Sequence, residues 1–531
     1  MINKYLFFDY MIVIKIIIIQ ILLLFPNTIL ASFIEQIAID PKAVSLGNSV
    51  TSSPPDIMSI HYNPAGLSEL REGKTIGFGF SIFKPKNKQQ FIPESEYNIL
   101  DIAKASDDLI SYQNNESNKG RMLIPFGSPS DMTFNILPSP IGFSYRPKDS
   151  SWTFATAIYY PFQWGYAFDD SKLHFQGSRF YSQHLIYASP SIGININEQL
   201  AMGLSFGLGQ SAIGIESDFR VINDSIALTH ILPEYPTGIS PFNSLGKFKV
   251  SLKNDLVPSI NLGFLWKPHA LFTIGGVYQS PIQSKLSGKF SFHFSEQLKR
   301  TAIWLKQNPA TAHSLGIPGI TEIDSFDENG TSQLSDFSFP QRLQLGMTII
   351  PINKVRISCD FHWTGWSSSN KYTLKLDSRN SELIKLIKIF NKKNINNTVI
   401  YEHNTNDSWH LSFGLEYQIR ESLAFRIGFE NRKSNFQTNS FDLYSFPDMK
   451  LFGAGVELKL INNIRVDLAI GIIKSSEILI LNGTSDNLNS DRSECYIYSP
   501  YIGQNVIQDL SATIWSMKIQ VPFENMFKDV Y

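Results

Sequence analysis

Large apolar residues occupy every second position over many short stretches of this chain, with Gly, Ser, Thr or charged residues between them. In one early stretch the apolar residues are Ile76, Phe78, Phe80 and Ile82. Period-two alternation of this kind predicts β-strands with one apolar and one polar face. Because the pattern recurs to the end of the chain, the sequence predicts an all-β protein.

One stretch is too long for an ordinary strand. Apolar residues keep the same parity from Phe248 to Trp266, over about 20 residues, whereas strands average about 5 to 6 residues. A tilted strand of a membrane barrel crosses the bilayer in about 9 to 11 residues and can continue beyond it. The length therefore favours a transmembrane antiparallel β-barrel over a soluble sandwich. The polar residues of this stretch that we expect to face the lumen are Lys247, Lys249, Lys253 and Asp255.

Segments of this kind number about fourteen, and an even total brings both ends of a bacterial barrel chain to the periplasmic side. The predicted strands are 75–83, 141–146, 152–160, 185–196, 201–215, 247–267, 271–294, 339–349, 355–375, 409–419, 423–433, 450–460, 464–474 and 511–523.

The connections between these segments alternate in length, as the short periplasmic turns and long external loops of outer-membrane barrels do. The short links are 147–151, 197–200, 268–270, 350–354, 420–422 and 461–463. The long ones are 84–140, 161–184, 216–246, 295–338, 376–408, 434–449 and 475–510. The final segment reads as the closing strand, and either Phe523 or the terminal Tyr531 is a candidate assembly signal.

The first 31 residues predict a secretory signal peptide. Lys4 gives a positive start, Ile16 to Phe25 is almost wholly apolar, and cleavage is expected near Ala31. The alternative is an uncleaved membrane anchor, but Lys15 and Gln20 leave the apolar run short of the ~20 residues needed to span a bilayer. No later segment is apolar enough for a transmembrane helix.

Composition narrows the function further. The 531 residues carry a net charge of -1 and 18% charged residues, which excludes a nucleic-acid binder and a disordered chain. The two cysteines, Cys359 and Cys495, are not expected to pair, because the first lies on an outward strand face and the second in a loop.

Residues 32–74 precede the first strand, lack its alternation and are rich in small and turn residues. A barrel of about fourteen strands has a lumen too wide for side chains alone to fill. We therefore expect three regions: a signal peptide (1–31), a plug or hatch in the lumen (32–74) and the barrel with its long loops (75–531).

Several motifs in this chain resemble, in the same order, those of the FadL family of outer-membrane transporters for hydrophobic compounds. Leu46-Gly47-Asn48 and Ser59 to Leu67, which contains Asn63-Pro64-Ala65-Gly66, resemble the hatch of that family. Later landmarks are Tyr278 to Ile282, Asp360 with Trp366-Ser367, Trp409 to Tyr417, Arg426 to Gly428, and Pro447-Asp448.

The resemblance implies a fourteen-stranded barrel in the outer membrane of a Gram-negative cell, a hatch that blocks its lumen and a lateral exit through its wall. The implied function is passive transport of hydrophobic compounds, such as long-chain fatty acids, without a cofactor. Outer-membrane lipid, lipopolysaccharide and the barrel-assembly machinery are the expected partners, and a monomer the expected state. Because loops such as 84–140 and 475–510 are long, the identity of the ligand stays open.

The hatch residues Asn63, Pro64, Ala65 and Gly66 either form a turn that moves to open the path or cap a rigid plug. Gly66 either adopts a positive φ or is incidental.

Three arginines, Arg356, Arg426 and Arg465, have lumen parity and lie near acidic residues of the same parity. We expect them mainly to pair with Asp360, Glu430 and Asp467, with contact to a fatty-acid carboxylate as the alternative.

Tyr159, Tyr160, Phe162 and Trp164 flank Pro161, which removes a ladder hydrogen bond from a strand. The favoured interpretation is an interfacial aromatic girdle, and the alternative is a kinked gate on the ligand path.

The segment Ser381 to Lys393 predicts an amphipathic helix in an external loop. A solvated loop helix is the favoured interpretation, and a helix that receives the ligand is the alternative.

Other classes of barrel are weighed against the transporter. A lipid-modifying enzyme needs a nucleophile beside a base, and histidines such as His61, His184, His362 and His410 show no such partner pattern. We therefore expect no catalytic residue and no metal ligand. An open porin or a purely structural barrel is the other alternative, and it would conduct ions freely.

Overall fold

The computed structural model describes residues 35, 39–93, 112–125, 127–168, 178–219, 244, 246–314, 327–369, 371–377, 398–402, 405–434, 447–480 and 504–525. The predicted signal peptide, the loop helix 381–393, Cys495 and Tyr531 lie outside these residues.

Fourteen antiparallel strands form a closed barrel, as predicted. They are β1 (Gly73–Pro93), β2 (Asn135–Arg146), β3 (Trp152–Ala167), β4 (Arg179–Ala188 and Ser191–Asn195), β5 (Leu200–Phe219), β6 (Gly246–His269), β7 (Phe272–Gln279 and Ile282–Phe294), β8 (Asp327–Phe339 and Arg342–Ile352), β9 (Val355–Thr364 and Lys371–Asp377), β10 (Thr398–Glu402 and Ser408–Arg420), β11 (Leu423–Arg432), β12 (Met449–Lys459), β13 (Arg465–Ser475) and β14 (Gln504–Pro522). Every predicted segment corresponds to one of these strands.

Two short strands extend the barrel sheet at its external end: Asn114–Ser117 pairs with β1 and Ile478–Ile480 pairs with β14. Gly120–Leu123 and Pro129–Met132 form a separate two-stranded hairpin.

The first and last strands close the barrel. β1 pairs with β14 in an unbroken register that runs from Thr75 opposite Pro522 to Pro93 opposite Gln504. This pairing removes the open sheet edges that a membrane would leave without hydrogen bonds. On this closing strand Trp515 is exposed on the outside, whereas Ser516 and Lys518 are buried inside.

The helices are short. The hatch contains α1 (Pro41–Ser45), α2 (Ser59–Tyr62) and a 3-10 helix (Pro64–Glu69), and the loop between β7 and β8 contains α3 (Glu296–Gln307) and α4 (Pro309–Ser314). Asp40 caps α1 by accepting a hydrogen bond from the backbone N–H of Lys42 at 2.8 Å. None of the helices in the described residues is long and apolar enough to cross a membrane.

The faces of β6 exchange sides along its length. Between Asn254 and Val257 the strand has one residue more than its neighbour β5, which makes a β-bulge. On the periplasmic side of the bulge, Leu262 and Phe264 are exposed to the lipid; on its external side, Val250 and Leu252 are buried in the lumen. The expectation for the polar residues of this stretch was therefore wrong, because an added residue reverses the side chains that follow it. The exposed ones are Lys247, Lys249, Lys253 and Asp255.

Two other strands change faces in a similar way. In β3 one extra residue lies between Tyr159 and Phe162, opposite Ile186 and His184 of β4. In β7 the Ser280-Pro281 pair interrupts the strand, so that Gln279 and Ile282 both face the lumen. These three strands thus present apolar residues to lipid in their periplasmic half and to the lumen in their external half.

Candidate functional site: an apolar lumen above a seated hatch

The external half of the lumen holds a continuous cluster of buried apolar side chains, which we call the external apolar cluster. Its rings are in direct contact: Phe162 stacks on Phe339 with centroids 4.6 Å apart, and Phe337 meets Phe339 edge-on at 5.0 Å. The lining residues from β3, β6, β7 and β8 include Phe162, Trp164, Phe248, Val250, Leu252, Leu286, Phe290, Phe292, Phe337 and Phe339. In a simple barrel the apolar faces of these strands would contact lipid, but here they line the interior.

The aromatic residues around Pro161 belong to this interior. Phe162 and Trp164 are only 3% and 2% exposed, and Tyr159 lies with its ring centroid 5.4 Å from that of His61 in the hatch. Lipid-facing residues of an interfacial girdle would be exposed, so the favoured interpretation of these residues was wrong. The structure places Phe162 and Trp164 inside the lumen, within the external apolar cluster.

The hatch occupies the lumen on the periplasmic side of this cluster, and Asn63 fixes its central turn. The side-chain NH2 of Asn63 donates to the carbonyls of Thr51 at 2.8 Å and of Phe264 in β6 at 2.9 Å. Its side-chain oxygen accepts from the backbone N–H of Ala65 at 3.1 Å and caps the 3-10 helix. One side chain therefore joins two parts of the hatch to the barrel wall.

Glycines in the wall make room for the hatch backbone. A Cβ at Gly203 would lie 2.1 Å from the carbonyl carbon of Pro64, and one at Gly263 would lie 2.1 Å from the side-chain oxygen of Asn63. Gly66 is needed for a similar reason, since its Cβ would meet the Pro54 ring at 2.2 Å. Gly66 does not have a positive φ, which excludes the first of the two alternatives for this residue. The left-handed turn of the hatch lies instead at Gly47 and Asn48, with φ of 60° and 61°.

Polar side chains of β8, β9 and β11 anchor the other end of the hatch. The backbone N–H of Thr51 donates to the Asp360 carboxylate at 2.7 Å, and Asn48 donates to Glu430 at 2.7 Å. Ser52 and Thr348 share a hydrogen bond of 2.7 Å. The hatch is thus held by hydrogen bonds around much of the wall.

A buried charge network supports the hatch from below. The Lys518 ammonium lies 2.9 Å from Asp40, 3.4 Å from Asp56 and 3.3 Å from Asp467. Two of these carboxylates belong to the hatch and one to the wall. Since a buried charge is tolerated only when it is paired, this network couples the hatch to β13 and β14.

The three arginines predicted on the ligand path all contact carboxylates. Arg426 donates to Glu416 and Asp467, each at 2.6 Å, and to Glu457. Arg356 contacts Glu416 at 3.3 Å, and Arg465 contacts Asp56 of the hatch at 3.0 Å. Arg426 pairs with Asp467 but not with Glu430, which the sequence had suggested as a neighbour.

Asp56 is charged because of its neighbours. Burial alone would raise the pKa of its carboxyl group, but the Lys518 ammonium and the Arg465 guanidinium outweigh burial and hold the pKa at about 2. The hatch therefore keeps this negative charge throughout the physiological pH range.

The ladder between β3 and β4 is interrupted on the periplasmic side of Pro161. The pairing ends at Ala155 opposite Ser191 and resumes at Tyr159 opposite Ile186. In the gap, the Ser189 hydroxyl donates to the carbonyl of Ala157 and accepts from its N–H, both at 2.8 Å. The backbone N–H of Ser189 also donates to the Thr156 hydroxyl at 3.2 Å, so side-chain hydrogen bonds replace the backbone ladder at this point of the wall.

The comparisons with known proteins agree with this architecture. A family model described as outer membrane protein transport protein (OMPP1/FadL/TodX) matches residues 33–520. A FadL homologue from Pseudomonas aeruginosa has a TM-score of 0.64 at 14% identity, over 93% of this chain and 100% of that one. The toluene transporter TodX of Pseudomonas putida has a TM-score of 0.59 at 13% identity, over 93% and 100%.

The toluene transporter TbuX of Ralstonia pickettii has a TM-score of 0.57 at 14% identity, over 92% of this chain and 99% of its own. No curated protein matches this sequence.

The fold and the plugged lumen define a class, the outer-membrane transport barrels for hydrophobic compounds. Within that class, the chain belongs to the OMPP1/FadL/TodX family of outer-membrane transport proteins. The family consists of transporters and not of enzymes, as expected from the sequence.

Proposed function

We propose that this protein carries long-chain fatty acids from outside the cell, through the external apolar cluster and past the hatch, into the outer membrane. The observation that carries the proposal is the reversal of the wall, which lines the external lumen with apolar side chains from β3, β6, β7 and β8. Such a surface removes an acyl chain from water at a gain of about 0.8 kcal/mol per buried CH2.

An extended ligand suits this cluster better than a small one. Its buried residues run from Phe294 near the external end of β7 to Ile282 near the middle of the wall. A single aromatic ring would cover a small part of that lining, whereas a long acyl chain would follow it. The competing function is transport of a monoaromatic hydrocarbon, the ligand class named for TodX and TbuX.

The exit of the ligand is proposed at the interrupted ladder between β3 and β4. Opening the wall elsewhere breaks a series of backbone hydrogen bonds, but here the Ser189 hydroxyl makes the link. The Asn63 to Gly66 turn of the hatch is the element proposed to move, and Tyr159 with His61 lies between that turn and the gap.

The fatty-acid proposal is tested by displacement of a fluorescent hexadecanoate analogue from purified protein in mild detergent. Oleate should displace the probe more strongly than toluene does. Phe290→Asn, which places an amide inside the cluster, should weaken probe binding about 10-fold or more, since burying an unpaired amide costs about 1–3 kcal/mol. Lys289→Asn is the matched control, because Lys289 is the exposed neighbour of Phe290 on β7. Stronger displacement by toluene would favour the monoaromatic function.

The surroundings of the barrel are proposed from its outer surface. On three strands, exposed lysines lie on the external side of the lipid-facing residues. They are Lys84 and Lys88 on β1, Lys247 and Lys249 on β6, and Lys289 on β7. Ammonium groups at this height suit the phosphates of lipopolysaccharide. We further propose that the barrel-assembly machinery inserts the chain and that it functions as a monomer.

A further inference from the structure

His362, His410 and Glu430 form a cluster on the lumen side of three adjacent strands, β9, β10 and β11. His362 and His410 are directly opposite each other in the strand register, and their rings stack with centroids 4.6 Å apart. Glu430 lies beside them, with a carboxylate oxygen 2.7 Å from Nε2 of His410. All three side chains are buried, at 3%, 1% and 0% exposure.

The imidazoles of this cluster are poorly satisfied. Nδ1 of His410 and Nδ1 of His362 have no hydrogen-bond partner among the described residues, whereas Nε2 of His410 pairs with Glu430. A buried polar atom without a partner costs about 1–3 kcal/mol, so two in one cluster need an explanation.

From this geometry we infer that His362, His410 and Glu430 form a binding site for a divalent transition metal, of which Zn2+ is the representative. One ligand atom from each residue lies within 4.8 Å of the others, so a single ion can contact all three. Two imidazoles and one carboxylate are a donor set that Zn2+ and its neighbours in the first row prefer over Ca2+ or Mg2+.

The surrounding groups fix the carboxylate and set the charge. Glu430 also accepts from Arg432 at 2.8 Å, and Glu35 of the hatch segment contacts Arg342 at 2.9 Å. Among the described residues, these two carboxylates and two guanidiniums balance each other in charge. Because nitrogen and oxygen donors generally bind Cu2+ more tightly than Zn2+, we expect Cu2+ to bind more strongly here.

The site also touches the hatch. Asn48, in the left-handed turn of the hatch, donates to the second oxygen of Glu430 at 2.7 Å. A metal ion would orient that carboxylate toward Asn48, so the ion would secure the wall beneath this end of the hatch. The inference concerns binding alone and does not depend on the ligand proposed for transport.

The experiment is a titration of chelator-treated protein, without a polyhistidine tag, with Co2+ followed by its visible spectrum, then competition with Zn2+. Metal content after dialysis against Zn2+ gives the stoichiometry. We expect one ion per chain.

Two substitutions and one control decide the outcome. His362→Gln and His410→Gln should each weaken binding by about 100-fold or more, because each removes a direct ligand. His184→Gln is the control, since His184 is also fully buried in a strand and bonded to a serine, Ser211 at 2.8 Å. It should bind as the unchanged protein does. Heat-dependent migration in detergent gels checks that each barrel is folded.

If His410→Gln does not fold, His362→Gln alone decides the outcome. His362 forms a hydrogen bond with the Ser412 hydroxyl at 2.9 Å, and the glutamine amide can replace that bond, so we expect this variant to fold. The inference is overturned if the unchanged protein takes up no ion, or if His362→Gln binds it as tightly as His184→Gln does.

Discussion

Val250 and Phe264 lie an even number of residues apart on β6 and yet face opposite sides of the barrel wall. Val250 is 7% exposed and belongs to the external apolar cluster, whereas Phe264 is 37% exposed and faces lipid. The single extra residue between Asn254 and Val257 accounts for the difference. One bulge thus lets an unbroken apolar pattern cover the membrane-facing surface in one half of the strand and the lumen-facing surface in the other.

Replacing Asn63 should loosen the hatch. Asn63→Asp keeps the oxygen that caps the 3-10 helix but removes the two hydrogen bonds to Thr51 and Phe264. Losing both should cost about 1–3 kcal/mol and raise the population of the open hatch about 5- to 100-fold. Single-channel recording in planar bilayers should show frequent brief openings that the unchanged protein lacks. Conductance equal to that of the unchanged protein would mean that this turn does not control the path.

Gly203→Ala should displace the hatch by direct contact. The added methyl group would lie 2.1 Å from the Pro64 carbonyl carbon, which is backbone and unable to rotate away, so we expect a loss of about 1–3 kcal/mol. Gly207→Ala on the same strand is the control, because its methyl group would chiefly meet the Ser259 hydroxyl, which can rotate. Urea unfolding in lipid vesicles compares the two, and equal stability would show that the hatch does not press on β5.

Lys518→Met should destabilise the barrel strongly. It leaves Asp40 buried without its cation, whereas Asp467 keeps Arg426, and breaking a buried ion pair in this way costs about 3–5 kcal/mol. Adding Asp40→Asn should restore part of the loss, since the stranded charge is then removed. If the changes in the free energy of unfolding caused by Lys518→Met and Asp40→Asn were additive in a double-mutant cycle, the two side chains would not interact energetically.

Asp56 should contribute stability that depends on pH in the acid range only. Its pKa is lowered from 3.8 to about 2 in the folded protein, so its contribution is complete above about pH 4 and is lost as the pH falls toward 2. The free energy of unfolding of the unchanged protein minus that of Asp56→Asn should therefore be constant from pH 5 to 8 and shrink by about 2 kcal/mol at lower pH. A difference that already shrinks between pH 7 and 5 would contradict the assigned pairing.

The strands were predictable because lipid imposes a strict alternation on each crossing segment, and alternation is visible along a single strand. The reversal at Asn254 to Val257 was not, since apolar residues keep even positions on both sides of the bulge. Only the pairing with β5 shows that a residue is added. The Pro161 kink was visible, but the side on which Phe162 and Trp164 lie depends on the same kind of added residue.

The partners inside the lumen depend on the register between strands, which a single sequence does not contain. The sequence shows no spacing pattern that links His362 to His410, because a long loop separates β9 from β10 in the chain. One feature of the sequence does hint at their pairing: each histidine is next to a tryptophan in the chain. These tryptophans, Trp363 and Trp409, also lie opposite each other on the two strands. Likewise, Arg426 was placed in the lumen correctly, but its partners Glu416 and Glu457 come from strands on either side.

The position of Lys518 has a consequence for biosynthesis. The cation that pairs with the buried Asp40 of the hatch is carried by β14, the last strand to be synthesised, although the hatch precedes the first. A partly assembled chain therefore lacks the counter-ion of Asp40, and this contact between hatch and wall forms only when β14 closes the barrel against β1. Closure of the barrel and neutralisation of this buried carboxylate of the hatch therefore occur in the same step of assembly.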